Sequence, residues 1–137
     1  MTNPRKNRGT GNTDFEAQRA THDRVFKKEK VYISGPMTGI KDFNFPAFNK
    51  VADKLRAEGY EVLNPAEHGT GEDWDYYMRK DIKMVADCDM VVVLEGWSKS
   101  RGAKIEVFLA AQLGIPIFNT YSLTPIKTGW RFDFIGN

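Results

Sequence analysis

From Lys30 onward the chain alternates short apolar runs with amphipathic stretches, whereas residues 1–28 show no apolar periodicity. Val31-Tyr32-Ile33, stopped by Ser34-Gly35-Pro36, reads as a short buried strand ended by turn residues. Asn44 is the expected cap of a helix that opens near Pro46. Phe48, Val51, Ala52 and Leu55 then recur at helical spacing until Gly59. Tyr60 to Leu63 predicts a second strand closed by Asn64-Pro65. A loop through His68, Gly69 and Gly71 follows, then a helix from about Asp73 to Ala86. Met90 to Leu94 is a third strand, apolar throughout as a strand covered on both faces should be. Ala103 to Leu113 predicts a helix with Gly114 just beyond it, and Ile115 to Phe118 a fourth strand.

This β-α-β-α alternation predicts an α/β fold. The expected architecture is a three-layer, Rossmann-like or flavodoxin-like parallel sheet of four to five strands, with right-handed crossovers and helices on both faces. Beyond Tyr121, Trp130, Phe132 and Phe134 alternate with Arg131 and Asp133, the pattern of an edge strand or of an arm packed on another subunit. At 137 residues with 41% hydrophobic content, the chain has the size of one domain. We expect a disordered basic tail over 1–28 and a single α/β domain over 29–137.

Composition narrows the chemistry. No apolar run approaches the roughly 20 residues of a membrane-spanning helix, and the N-terminus lacks the apolar segment of a signal peptide, so the expectation is a soluble, cytoplasmic protein with no membrane partner. Cys88 is the single cysteine, and His22 and His68 lack metal-ligand spacing, so neither a disulfide framework nor a metal or other cofactor is expected. The net charge is +2, with eight Lys/Arg against four Asp/Glu in the first 30 residues. A mixed-sign tail rich in Asn, Gly and Thr reads as solvated chain and argues against nucleic acid as the partner.

In an open α/β sheet, ligands bind beyond the carboxyl ends of the strands at a topological switch point, here between the first and third strands. The loops there are Ser34-Gly35-Pro36-Met37-Thr38-Gly39 and Glu95-Gly96-Trp97-Ser98-Lys99-Ser100-Arg101-Gly102. Ser100, Arg101 and Gly102 open a helix, where free N–H groups suit a phosphate. Ser100 serves equally as an ordinary helix cap. Two carboxylates interrupt apolar faces. At about 100° per residue, Asp81 falls inside the stripe of Trp74, Tyr77, Met78, Ile82 and Val85. Glu106 lies in a helix otherwise apolar nearly all round, through Ile105, Val107, Phe108, Leu109, Ala110 and Leu113, which predicts that the helix is buried. Burying carboxylates costs several kcal/mol unless they are paired, so such placement points either to a site or to a structural ion pair. Tyr32, near the end of the first strand, is a candidate partner for them.

Tyr32-Ile33-Ser34-Gly35-Pro36-Met37, Asp81, Asp89-Met90-Val91-Val92-Val93 and Ser100-Arg101-Gly102 with Glu106 form a pattern that resembles the nucleoside 2-deoxyribosyltransferase superfamily. The stretch from Val31 to Thr120, about two-thirds of the chain, is more closely similar to a domain family of unassigned function common in phages and prophages. Related 2′-deoxynucleoside 5′-phosphate N-hydrolases cleave the bond between base and deoxyribose. The resemblance implies Glu106 as nucleophile, Asp81 as the acid assisting base departure, and Tyr32 as the residue orienting Glu106. It further implies Ser34, Gly35, Pro36, Met37, Ser100, Arg101 and Gly102 as substrate contacts, with Ser100 and Gly102 at the phosphate. A homodimer whose partner helps to close the site is also implied. The expected function is hydrolysis of a 2′-deoxynucleoside 5′-monophosphate, the small-molecule partner. Deoxyribosyl transfer is the nearest variant. Pro36 and Thr38 stand where the hydrolases place Ser and Arg, which keeps a non-catalytic nucleotide-binding module as the alternative.

Overall fold

The computed structural model describes residues 28–120 and 125–126. Four parallel strands form one sheet: β1 (Lys30–Ser34), β2 (Glu61–Leu63), β3 (Met90–Val93) and β4 (Ile117–Asn119), in the spatial order β2-β1-β3-β4. Three helices connect them: α1 (Phe45–Ala57), α2 (Trp74–Asp87) and α3 (Arg101–Gln112). The predicted doubly wound fold is therefore present, with strand ends shifted by one or two residues from the sequence expectation. The tail over 1–27 and the aromatic stretch over 127–137 lie outside the described residues. Within the C-terminal segment, Pro125 bridges Phe118 antiparallel and Ile126 N–H donates to the Ile117 carbonyl at 2.8 Å, along the outer edge of β4.

Strand alternation sorts the interior into two layers. Val31 and Ile33 of β1 join Phe48, Ala52 and Leu55 of α1 on one face. Tyr32 joins Val85 of α2 and Val107 and Ala110 of α3 on the other. Residue Ser34, two positions beyond Tyr32, thus also faces α2 and α3, and both are fully buried. The stripe that α2 buries is Met78, Asp81 and Val85, with the carboxylate at its centre. Helix α3 buries Ala103, Glu106, Val107, Ala110 and Ala111. The expectation that α3 is buried all round is corrected: Ile105 is 40%, Phe108 47% and Leu113 52% exposed. Only one face of α3 meets the sheet, so its apolar residues opposite that face meet solvent. No helix among the described residues is long and apolar enough to cross a membrane.

The entry to α1 also departs from expectation. Asp42, Phe43 and Asn44 all lie in the left-handed region, at φ 54°, 54° and 61°, which costs on the order of 1 kcal/mol for each side-chain-bearing residue. Asn44 precedes the helix without capping it by its side chain. Its amide donates instead to the Pro36 carbonyl at 2.9 Å, tying the turn to the loop after β1.

Candidate active site

Because α1 leaves β1 toward one face and α3 leaves β3 toward the other, the loops after these neighbouring strands diverge and open a cleft at the switch point. Gly35 permits the close approach at its base, since a Cβ there would sit 2.8 Å from the Leu94 side chain. The cleft has a volume of about 860 Å³, within the general range of small-molecule sites. Pro36, Met37, Ile40, Phe43 and Phe45 make one apolar wall, while Trp74, Tyr77, Ser100, Arg101 and Gly102 line the opposite side. Asp81 and Glu106 form its floor.

Every candidate site residue gathers here, in two tiers. Gly35, Pro36, Met37, Asp81, Ser100, Arg101, Gly102 and Glu106 line the cleft, whereas Tyr32 and Ser34 stand beneath it with no exposed surface. Ser34 was expected among the substrate contacts. Its hydroxyl instead donates to Glu106 Oε1 at 2.7 Å. The Tyr32 hydroxyl interacts with both carboxylates but makes no hydrogen bond of ordinary geometry. Burial, and then the charges of Glu106 and Asp81, push its proton affinity well above the usual phenol range.

The two carboxylates are close enough to influence each other's proton affinity. Burial raises Glu106 well above the ordinary carboxylate range, and the Asp81 charge adds to this, opposed by the Ser34 and Tyr32 hydroxyls. Burial also raises Asp81, opposed by Glu106 and by His68. Two buried carboxyl groups in contact retain one proton between them far more readily than either would alone. Burial thus favours the protonated form of both carboxyl groups, and of Glu106 the more strongly.

At the start of α3, Ser100 Oγ accepts from Ala103 N–H at 3.2 Å, so its capping role is present. The N–H groups of a helix's first turn otherwise lack intrahelical partners, and they open on the cleft beside Arg101. The Arg101 guanidinium lies 3.9 Å from the centroid of the Trp74 ring, which joins the N-termini of α2 and α3. Among the described residues, no group of three or more His, Cys, Asp or Glu side chains is placed to hold a metal ion.

Sequence reasoning passed over His68 and Trp74. His68 closes a short turn, Pro65–His68, held by Asn64, whose side chain accepts from Ala66 N–H at 3.0 Å and donates to Asn49 Oδ1 at 2.9 Å. Arg56 grips the same turn through Glu67, at 2.8 and 3.1 Å. So held, His68 places Nδ1 3.4 Å from Asp81 Oδ1. The available signal was its position, just past the carboxyl end of β2 and next to the switch point.

Residues 29–119 match the family described as "Domain of unknown function (DUF4406)". The chain belongs to that family. Its fold is shared with solved structures at low identity. A 2-deoxyribosyltransferase from Bacillus psychrosaccharolyticus is 18% identical with a TM-score of 0.53, over 66% of this chain and 70% of that one. A 2-desoxiribosyltransferase from Leishmania mexicana is 20% identical with a TM-score of 0.53, over 80% and 86%. A conserved protein from Enterococcus faecalis V583 is 22% identical with a TM-score of 0.54, over 67% and 62%. The chain thus shares its fold with these structures, two of which are 2-deoxyribosyltransferases. No curated protein matches the chain.

Proposed function

We propose that this protein is an N-glycosidase that releases the base from a 2′-deoxynucleoside 5′-monophosphate. The observation that carries the reading is the pairing of Asp81 and Glu106, buried together on the floor of a nucleotide-sized cleft. Cleavage of an N-glycosidic bond passes through an oxocarbenium-like sugar. It is served by a carboxylate on one side of C1′ and an acid near the departing base. The first step uses the pair with its proton on Asp81 and Glu106 ionised, the form that the Ser34 hydrogen bond favours against burial: a Glu106 oxygen bonds to C1′ while the C1′–N bond breaks, its electron pair passing to the base and the Asp81 proton neutralising it. In the second, water attacks C1′, the ester bond breaks back to the Glu106 carboxylate, and the water proton goes to Asp81. The products are free base and 2-deoxyribose 5-phosphate. The apolar wall from Pro36 to Phe45 suits a planar base, and the α3 N-terminus with Ser100, Arg101 and Gly102 suits the phosphate.

Transfer of the sugar to a second base is the alternative, favoured by the deoxyribosyltransferase names of two structural neighbours. Incubation with the four deoxynucleoside monophosphates, followed by chromatography for free base, tests the reading. Wild type releases base, while Glu106→Gln still binds nucleotide by calorimetry and turns over at least ~10²-fold more slowly. Release only in the presence of an acceptor base marks a transferase. Binding without any release marks a nucleotide-binding module. The exposed apolar face of α3 favours the homodimer expected from the resemblance, and light scattering at working concentration checks it.

A further inference from the structure

His68 Nδ1 and Asp81 Oδ1 are both buried and lie 3.4 Å apart, short of a hydrogen bond of ordinary geometry, and neither has a hydrogen-bond partner. A buried polar atom without a partner costs on the order of 1–3 kcal/mol, so two such atoms facing each other mark a contact that tightens when the site fills. The groups around Asp81 come from three elements: His68 from the turn after β2, Tyr32 from β1 and Glu106 from α3. Tyr32 and Glu106 bring oxygens to it, and His68 is the one nitrogen group among the three. The turn that carries His68 is held to α1 through Asn64–Asn49 and Arg56–Glu67. The turn that presents the imidazole is thereby held before any ligand arrives.

We infer that His68 is a positioning residue for Asp81, donating Nδ1–H to Oδ1 so that the other carboxyl oxygen carries the proton toward the departing base. As that proton leaves with the base, Asp81 becomes negative, and the same Nδ1–H steadies the new charge. No proton is lost from His68 in either step; it holds the acid and does not replace it. This inference rests on the glycosidase reading for its kinetic part but not for the contact itself.

Two measurements test it separately. The chain contains two histidines, His22 and His68, so nitrogen-15 labelling of histidine gives an NMR spectrum in which each ring is assigned by one substitution. The neutral His68 ring is expected as the Nδ1–H tautomer in wild type, and as the commoner Nε2–H tautomer in Asp81→Ala. An Nε2–H ring in wild type overturns the inference, whether or not the protein is an enzyme. The kinetic arm compares a deoxynucleoside monophosphate with the aryl analogue 4-nitrophenyl 2-deoxyriboside 5-phosphate, whose leaving group needs no proton. His68→Phe is expected to lower nucleotide turnover tenfold or more relative to the aryl analogue. His68→Asn, whose amide nitrogen reaches the Nδ1 position, restores most of that ratio. Equal slowing of both substrates assigns His68 a purely structural role and overturns the inference. If wild type releases no base from any nucleotide, the glycosidase reading fails and the tautomer alone decides the contact.

Discussion

Ser34 and Glu106 are joined by a 2.7 Å hydrogen bond from a hydroxyl with no exposed surface to a carboxylate that is 4% exposed. The bond ties the last residue of β1 to the second turn of α3, so the sheet itself orients the carboxylate. Such a bond is strongest to an ionised acceptor, so it favours, against the burial that opposes it, the charged form that a nucleophile needs.

Removing that donor has a direction that can be read. Ser34→Ala is expected to raise the Glu106 proton affinity further, since the hydroxyl is one of the two groups that oppose its upward shift. Turnover should fall roughly 10-fold at neutral pH, by analogy with loss of a group worth about 1.4 kcal/mol. The acid limb of the pH–rate profile should move to higher pH while KM changes little. A limb that stays in place shows that Ser34 does not tune Glu106.

Stability should respond to pH in the opposite sense from a paired surface acid. Glu106 and Asp81 hold protons in the folded state above their ordinary values, so between those values and the raised ones the folded protein binds more protons than the unfolded chain. Stability is fully present below the ordinary carboxylate range and declines as pH rises through the raised folded values. Glu106→Gln removes the charge that must be buried, so it is expected to melt higher than wild type at neutral pH, by about 1–2 kcal/mol, and to show a flatter decline. Thermal melts from pH 4 to pH 8 check this, and parallel curves for the two proteins would contradict it.

Phosphate recognition at the start of α3 gives a third expectation. Nucleoside 5′-monophosphates should be bound and cleaved in preference to the nucleosides, because the phosphate meets free N–H groups and Arg101 at a helix N-terminus. Ser100→Ala should narrow that preference and also cost about 1 kcal/mol of stability through the lost cap to Ala103. Equal kinetics for nucleotide and nucleoside count against the phosphate grip.

The crossing of the two divergent loops supplies a fourth. Gly35→Ala places a methyl 2.8 Å from Leu94, and overpacking of this kind costs about 1–3 kcal/mol. Leu94→Ala is destabilising by itself, since Leu94 is 4% exposed. Leu94→Ala removes the Cγ and Cδ1 that a Gly35 methyl would meet but keeps the Cβ that also lies 2.8 Å away, so the double substitution should recover only part of the loss from Gly35→Ala. Chemical denaturation of the four proteins measures this, and a Gly35→Ala protein as stable as wild type refutes the clash.

Much of this arrangement was legible in the sequence because it follows from periodicity. Asp81 and Glu106 were visible as carboxylates where a helix needs apolar residues, and both prove buried. Ser34 was less legible, since a serine after a strand reads as a turn residue, and only the alternation of β1 reveals that it points with Tyr32 beneath α3. The left-handed turn from Asp42 to Asn44 carries no glycine to announce it; it is held by contacts such as Asn44 to Pro36, which no local pattern encodes. The apolar residues of α3 misled in the other direction, because hydrophobicity on every face says nothing about which faces find a neighbour. His68 was hidden for a related reason: its partner is 13 residues away on another element, and a single histidine has no spacing to read.

Cys88 stands where α2 hands over to β3, 6% exposed and packed with Tyr32, Val85 and Val107. Its thiol donates to the Val85 carbonyl at 3.1 Å, and burial pushes its pKa up to about 11. A thiol both covered and un-ionised scarcely reacts at neutral pH until the layer above it lifts. Since the chain has no other cysteine, the rate of alkylation becomes an internal clock for separation of the helices from the sheet. Those helices also carry the floor of the cleft, so any molecule that bridges α2 and α3 slows the clock. Ligands can therefore be ranked by mass spectrometry of a single adduct, without waiting for a bond to break.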